Sequence, residues 1–328
     1  ALGVIPTAAL MGRATEELAA RSGPGIGGLL NVTFGNAPEL IIALFALGRG
    51  LHEVVKASIV GSILGNILLV LGASMLAGGI GRDRQKFDRT ASSSQSSMLL
   101  VAVAATVMPA LFALVEGKGL PAPNVERVDY HGDIITLSLI VSVVMIVVYG
   151  LGLLFSLKTH RDLFNPPEDQ EPAAEHWSVR RSVLMLAIAG VAVGGMSEIL
   201  VSSISDAAKA VGLTEFFVGV IVVAIVGNAA EHWVAVLVAV KDKMDLSVSI
   251  GVGSAAQVAL FVGPVLVLLS TFIGPHPMGL VLNGYELGAL LLAVLIANHV
   301  TNEGESTWFE GVLLLGVYLV LAVTFFLA

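Results

Sequence analysis

Two short segments contain the residues of this chain whose chemistry is most unusual for their surroundings. They are Gly35-Asn36-Ala37-Pro38-Glu39 and Gly227-Asn228-Ala229-Ala230-Glu231, and each lies within a long apolar run. Because a carboxylate is costly in hydrocarbon, an ionisable residue in such a run usually belongs to an ion or proton pathway. Its recurrence in two halves of the chain predicts one site at the interface between two repeats.

The two segments together supply oxygen ligands. Glycine is a poor helix former and Pro38 lacks a backbone donor, so a helix broken at this point would free carbonyl oxygens at mid-membrane depth. The amides of Asn36 and Asn228 add further oxygens, and Glu39 and Glu231 add two negative charges. This all-oxygen set suits a hard divalent cation such as Ca²⁺. Ala230 replaces the proline in the second copy, so that break would depend on Gly227 and Asn228.

The same two glutamates predict coupling to protons. Two nearby carboxylates in a poorly solvated site repel each other when the metal leaves, and both effects favour the protonated form. Metal and protons would then compete for the same oxygens, so a single site exposed to each face in turn would exchange one for the other. The alternative is structural: both glutamates could be held protonated or hydrogen-bonded as contacts between helices.

Other polar residues near the two segments are candidates for supporting roles. Ser62 and Ser254 lie on the following helices, with Asn66 and Gln257 at helical spacing on the same side as these serines. We interpret these four as a second ring of oxygen ligands or as supports for the glutamates. The alternative is that they form hydrogen bonds between helices that pack closely at nearby glycines.

Glu16 and Glu198 occupy similar places in the first helix of each half, within Thr15-Glu16-Glu17-Leu18 and Ser197-Glu198-Ile199-Leu200. We predict that they relay protons or line an entrance, with a solvated interfacial residue as the alternative. Two acidic groups are candidates for regulation by cytoplasmic Ca²⁺, with a solvated tether as the alternative interpretation of the first. They are Glu168, Asp169 and Glu171, and Glu303 and Glu305.

The composition defines the elements that must hold these residues. Of 328 residues, 56% are hydrophobic and only 13% are charged, which is typical of an integral membrane protein. The apolar runs are continuous, so an all-α fold of about ten membrane-spanning helices is expected rather than a barrel. The predicted helices cover residues 1–20, 24–48, 52–79, 92–116, 131–157, 179–211, 215–241, 245–273, 279–300 and 307–327.

The chain is expected to be a duplication. Glu39 and Glu231 are separated by 192 positions, as are Gly61-Ser62 and Gly253-Ser254. We therefore predict a first five-helix repeat at 1–157, an acidic cytoplasmic linker at 158–178 and a second five-helix repeat at 179–328. An odd number of helices in each repeat makes the two repeats inverted, as in many secondary transporters.

Loop charge predicts the orientation. Twelve of the 17 lysines and arginines fall on one side of this topology and five on the other, so the first side is assigned to the cytoplasm. The loop Asn302-Glu303-Gly304-Glu305 falls on the same side without a basic residue. The short loops favour a prokaryotic cell membrane. The chain opens on an apolar run, which we interpret as a start inside a longer protein.

Several other classes of protein are disfavoured. The sequence has no cysteine, no basic block that would suggest nucleic acid, and no His-Glu-x-x-His or Gly-x-Ser-x-Gly motif of a hydrolase, so no enzyme activity is expected. The expected partners are the lipid bilayer, Ca²⁺ and H⁺, with no cofactor, and a homo-oligomer is left open. A sodium-coupled exchanger and a cation channel are the remaining alternatives.

At this point the motifs resemble a known family, the cation/proton exchangers, which are the CAX branch of the calcium/cation antiporter superfamily. Its first repeat is similar to Gly35–Ile42 and Gly61–Asn66, and its second to Gly227–His232, Lys241–Asp245 and Gly253–Gln257. Trp308-Phe309-Glu310-Gly311 is similar to its last helix. The resemblance covers nearly the whole chain.

The resemblance implies exchange of cytoplasmic Ca²⁺ for protons, with Glu39 and Glu231 as the ion-binding acids. It also implies that an outer pair of helices, here about 1–20 and 179–211, slides to alternate access to the site. In the related sodium/calcium branch an additional acid supports sodium sites, and this sequence has the amide Gln257 in that neighbourhood. The amide favours proton coupling.

Overall fold

The chain folds into a bundle of long helices. The computed structural model describes residues 3–123, 132–160 and 177–328, and residues 23–29 and 31–32 in their backbone only. Within these residues there are ten helices and one two-stranded bridge. They are α1 Val4–Gly35, α2 Ala37–Gly48, α3 His52–Gly79, β1 Gln85–Lys86, α4 Arg89–Val115, α5 Asp133–Thr159, α6 Val179–Val211, α7 Glu215–Val240, α8 Met244–Leu269, α9 Gly284–Thr301, β2 Glu305–Ser306 and α10 Trp308–Leu327.

Eight of the helices in the described part, α3 to α10, are long and apolar enough to cross a membrane, and α2 is a shorter apolar helix. Many of their large apolar side chains point outward, including Val191, Leu319 and Phe326, as expected for surfaces in contact with lipid. The prediction of an all-helical, multi-pass membrane protein is confirmed. Most predicted boundaries lie within a few residues of the observed ones.

The predicted boundary between the first two helices is wrong. Instead of helices at 1–20 and 24–48, α1 continues to Gly35, and the interruption falls at Asn36, before α2. Glycine and proline lower helix propensity near residue 24, but unpaired backbone groups are costly in a membrane, which favours continued helical hydrogen bonding. At Asn36 the helix ends because Pro38 in the next turn cannot donate a hydrogen bond.

Wide π-helical turns recur at matching places in the two halves. One covers Gly65–Val70 in α3 and another covers Val258–Val262 in α8, and their last residues are separated by the same 192 positions as the two glutamates. Each follows the Gly-Ser pair of its half. Such turns are rare and are often found at functional sites, so their recurrence supports a common origin for the two helices.

The loops at one end of the bundle are held together by polar contacts. Gln85 and Lys86 pair with Ser306 and Glu305 in the β bridge, and Arg84 forms an ion pair of 2.5 Å with Glu305. Arg82 donates to the carbonyl oxygen of Val240 at 3.1 Å. The ends of α3, α7 and α9 therefore lie at this end, which we call the basic face. The acidic 302–305 loop also lies here, on the side that the sequence assigned to it.

Contacts at the opposite end show that equivalent helices run in opposite directions. The rings of His52 and His276 lie 4.3 Å apart, which joins the start of α3 to the loop after α8. Thus α3 ends at the basic face, whereas α8 begins there. The predicted linker at 158–178 lies mainly within residues 161–176, which are outside the described residues, as are Glu168, Asp169 and Glu171. Its first residues, Lys158 and Thr159, belong to the last turn of α5.

A buried lysine links α3 to the start of α9. Lys56 is 1% exposed, forms an ion pair of 2.5 Å with Glu53 and donates to the carbonyl oxygen of Val281 at 3.1 Å. Glu286, also buried, interacts electrostatically with Lys56 and accepts the backbone N–H of Asn283 at 2.9 Å. A lysine is tolerated in this interior because carboxylates and a carbonyl replace its water.

We expect Lys56→Met to lower the free energy of unfolding by about 3–5 kcal/mol, because it leaves a buried carboxylate without its cation. Unfolding of the purified protein by sodium dodecyl sulfate would measure this. The control is Lys118→Met on an exposed loop, which should change the free energy by less than about 0.5 kcal/mol. Equal stability of the two variants would contradict the structural role of Lys56.

Candidate ion-binding site

A large cavity lies between α1, α2, α7 and α8. Its volume is about 880 Å³, and its wall includes both segments singled out in the sequence. The residues of those segments that line it are Gly35, Pro38, Glu39, Gly227, Ala230 and Glu231. The tertiary structure thus brings residues separated by 192 positions to one place.

Each of the two acids lies beside a glycine from the opposite half. A methyl group added at Gly35 would lie 3.3 Å from Oε1 of Glu231, and one added at Gly227 would lie 3.4 Å from Cγ of Glu39. Each glycine therefore borders the glutamate of the other half, and the two carboxylates interact electrostatically. A methyl group would be in tight contact with the opposite glutamate at Gly35 and in van der Waals contact with it at Gly227, and both halves place this glycine four residues before the acid.

The first copy of the segment has the helix interruption that the sequence predicts. Asn36 is buried between α1 and α2, and Glu39 lies in the first turn of α2. The side-chain amide of Asn36 donates to Oε1 of Gln257 at 2.6 Å, which ties the interruption to the second half. Oδ1 of Asn36 and Oε2 of Glu39 are buried and have no hydrogen-bond partner among the described residues.

The second copy is not interrupted, so the predicted break at Gly227 and Asn228 is wrong. The α-helical part of α7 runs from Ala224 to Val240 through both residues. Ala230 keeps the backbone donor that Pro38 lacks, so helical hydrogen bonding continues. A π-helical turn at Val218–Val223 disturbs the helix one turn earlier instead.

Asn228 is held in this continuous helix by hydrogen bonds. Its side-chain amide donates to Oγ of Ser62 at 3.1 Å and to the carbonyl oxygen of Ala224 at 3.0 Å. Oδ1 of Asn228 is buried without a partner in the described part of the chain. The amide orientation thus matches Asn36, with the nitrogen bonded to the other half and the oxygen left available.

The predicted supporting residues divide into two groups. Ser254 donates to Oε2 of Glu231 at 2.9 Å and lines the cavity with Gln257. Ser62 supports Asn228 without lining the cavity. Asn66 is fully buried, and its amide has no hydrogen-bond partner among the residues described. These observations do not support Asn66 as an ion ligand.

The two glutamates predicted for a proton path occupy different surroundings. Glu16 lines the cavity and interacts electrostatically with Glu231. Glu198 does not line the cavity, and its carboxylate forms an ion pair with Arg49 at the other end of α2. Their roles in proton transfer stay predictions. Of the second regulatory group, Glu303 lies in the basic-face loop and Glu305 is paired with Arg84.

Other wall residues were missed by the sequence analysis. Arg13, Trp233, Val234, Leu246 and Ser249 line the cavity between the acids and the basic face. No motif distinguishes them, although Trp233 and Val234 follow the second segment directly. They show that the cavity extends from Glu39 and Glu231 toward the basic face.

The oxygen atoms of the two segments are suited to a cation that is bound by carboxylates together with neutral oxygens. No group of three or more histidines, aspartates or glutamates suited to a metal occurs in the described residues. The cavity wall instead offers the carboxylates of Glu39 and Glu231, and the buried amide oxygens of Asn36 and Asn228 lie in the same two segments without lining the cavity. These are ligand types that Ca²⁺ accepts, and three of their oxygen atoms are buried without a partner.

An all-helical membrane bundle with acidic side chains on the wall of a cavity between its two halves belongs to the class of multi-pass membrane transporters. The comparisons with known proteins define the class more narrowly. The model of the sodium/calcium exchanger protein family matches residues 1–158 and 181–327. The chain therefore belongs to the sodium/calcium exchanger family.

Its relatives include proton-coupled members, which confirms the resemblance to the cation/proton exchangers. The chain is 44% identical to a Ca²⁺/H⁺ antiporter of Aphanothece halophytica, covering 99% of this chain and 88% of the relative. It is also 44% identical to the Ca²⁺/H⁺ antiporter ChaA of Bacillus subtilis, covering 99% and 90%. The solved structure of native YfkE matches with a TM-score of 0.81 at 40% identity, covering 99% and 90%.

Replacing Gly35 or Gly227 by alanine tests the geometry of the site. We expect Gly35→Ala to raise the dissociation constant for Ca²⁺ about tenfold, because its methyl group would crowd Oε1 of Glu231. Gly227→Ala should raise it less, because its methyl group would reach only van der Waals contact with Glu39. Overpacking typically costs about 1–3 kcal/mol, and tenfold corresponds to about 1.4 kcal/mol. Isothermal titration calorimetry on the purified protein would measure it.

The matched control is Gly195→Ala, where an added methyl group would meet nothing within 4 Å among the described residues. Its dissociation constant should equal that of the unchanged protein. Unchanged Ca²⁺ binding in both Gly35→Ala and Gly227→Ala would contradict the placement of the ion between Glu39 and Glu231.

Proposed function

We propose that this protein is an antiporter that exchanges Ca²⁺ for H⁺ by alternating access. The observation that carries the proposal is the convergence of Glu39 and Glu231 on the wall of one cavity. The amide oxygens of Asn36 and Asn228, in the same two segments, are buried without a partner among the described residues. Membership of the sodium/calcium exchanger family supports it, as does the similarity to two relatives, each 44% identical, that are Ca²⁺/H⁺ antiporters.

Coupling follows from competition at one set of oxygens. When Ca²⁺ occupies the site, both carboxylates serve it as anions. When it leaves, two adjacent carboxylates in a poorly solvated interior repel each other, and protons relieve that repulsion. The site therefore carries Ca²⁺ in one direction and protons in the other without a second binding site.

The direction of transport follows from the basic face. The cavity reaches from the two acids toward this face, where Arg82, Arg84, Lys241 and Lys243 lie. The positive-inside rule assigns such a face to the cytoplasm. Ca²⁺ would thus enter the cavity from the cytoplasm, and inward movement of protons would drive its export. Similarity to bacterial antiporters favours a prokaryotic cell membrane.

Gln257 favours protons over sodium as the coupling ion. Its Oε1 accepts the hydrogen bond from Asn36, so this position on the cavity wall carries a neutral amide. Binding several Na⁺ ions together would require more negative charge than two carboxylates provide. Sodium-coupled exchange is the alternative that this observation disfavours.

The roles of the two acids can be tested by transport. We expect Glu39→Gln and Glu231→Gln each to lower proton-driven ⁴⁵Ca²⁺ uptake into everted vesicles by more than about tenfold, since losing one of two charged ligands should cost more than about 1.4 kcal/mol. The control is Glu116→Gln, an exposed residue after α4. Uptake by either site variant at the control rate would refute its assignment.

The coupling ion can be tested with separate gradients. In vesicles held at constant pH, an imposed Na⁺ gradient should drive no ⁴⁵Ca²⁺ uptake, whereas a pH gradient without Na⁺ should drive it. The physical reason is that the two carboxylates accept protons when empty. Uptake that follows the Na⁺ gradient would establish the sodium-coupled alternative, and ionic currents without counter-transport would establish a channel.

A further inference from the structure

The internal repeat relates two contacts between helices, of which one is closed and the other is open. One joins α2 to α6 and the other joins α7 to α1. The offset of 192 residues relates Phe45 and Arg49 of the first contact to Leu237 and Lys241 of the second. An offset of 182 residues relates Gly194 and Glu198 on α6 to Gly12 and Glu16 on α1.

The contact between α2 and α6 is closed. Ring atoms of Phe45 lie 3.8 and 3.9 Å from the position of a methyl group at Gly194, so the ring covers this glycine. One turn further, Arg49 forms its ion pair with Glu198. Ala37 and Ile41 pack on Ala189 and Val193 in the same interface. Apolar packing and an ion pair therefore seal the end of α2 away from the basic face.

The equivalent contact between α7 and α1 is open. A methyl group at Gly12 would meet no atom within 4 Å in the described part of the chain, and Gly12 lines the cavity. Glu16 also lines the cavity, and Lys241 is exposed at the end of α7. Neither has an ion-pair partner among the described residues.

The two glutamates also sit at different heights relative to the transport site. Glu198 is level with Arg49, which lies ten residues, or about 15 Å of helix, beyond Glu39. Glu16 is close enough to Glu231 to interact with it electrostatically, well short of Lys241, which is also ten residues beyond the acid.

α1 and α6 are held together, so they would move as one body. The backbone N–H of Trp177, just before α6, donates to Glu17 at 2.8 Å, and the guanidinium of Arg13 lies 5.0 Å from the Trp177 ring centre. A shift of this pair toward the basic face would take Glu198 away from Arg49 and bring Glu16 toward Lys241. One movement would thus break the first pair and form the second.

We propose that Arg49–Glu198 and Lys241–Glu16 are alternative gate pairs, each formed only when the cavity is closed at its own face. This inference rests on the proposed alternating access of the same site. An exposed ion pair contributes little free energy, so exchanging one such pair for the other leaves the two states close in energy. A cycling transporter needs such a balance, because a strong pair on one face alone would hold it in one state.

The test uses the absence of cysteine from this sequence. Single Gly12→Cys and Gly194→Cys variants would report the open and the closed contact, and a Cβ can be added at both positions without a contact shorter than 3.8 Å. The rate of modification by a hydrophilic maleimide is measured on the purified protein without Ca²⁺. Gly12→Cys should react faster than Gly194→Cys.

Adding Arg49→Ala should raise the rate at Gly194→Cys by about two- to fivefold and lower the rate at Gly12→Cys, as expected for loss of an exposed pair. Lys241→Ala should change the two rates in the opposite directions. The exchanged pair Arg49→Glu with Glu198→Arg should restore the original rates. Lys118→Cys, on an exposed loop, is the control whose rate should not respond.

Unchanged rates after Arg49→Ala, or rates that rise at both cysteines, would overturn the proposal. Failure of the exchanged pair to restore the rates would do the same, provided that this variant elutes as a single folded species. Because modification needs no ion gradient, this result is separate from the transport assays. If the two labelling rates change in opposite directions but the unchanged protein shows no proton-driven Ca²⁺ uptake, the proposed function is refuted and the proposal of two gate pairs stands.

Discussion

Two carboxylates from opposite halves of the chain share one cavity inside a helical membrane protein, and the rest of the structure is arranged around them. Glu39 and Glu231 interact electrostatically in surroundings where water cannot fully compensate their charge. The glycines that face them leave the space between the halves free. The oxygens Oδ1 of Asn36 and Asn228, in the same two segments, are buried without a partner among the described residues.

The membrane restricts how the backbone can hold such a site, because unpaired backbone groups are costly in lipid. Within the described residues, several departures from regular α-helix lie close to the site or at equivalent places of the two halves. These are the interruption at Asn36 and the π-helical turns of α3, α7 and α8. Polar residues such as Ser62 and Gln257 then bind the asparagine side chains across the two halves.

Much of this arrangement could be predicted from the sequence. The length and continuity of the apolar runs predicted the helices, and α3 and α6 begin and end where expected. The repeated segment predicted that Glu39 and Glu231 meet, because a carboxylate rarely lies in an apolar span without a function. The position of Pro38 predicted the interruption in the first copy. All of these signals are local in the chain or repeat at a constant spacing.

The amino-acid sequence alone thus determined the helical membrane fold and singled out the two repeated segments with their acids, since composition and spacing record them directly. The tertiary structure decided which residues surround those acids. It showed that α7 continues through Asn228, that Ser254 rather than Asn66 contacts a glutamate, and that Glu16 and Glu198 differ. These features depend on contacts between helices that are distant in sequence and on which face of the cavity is open. No local pattern encodes either of them.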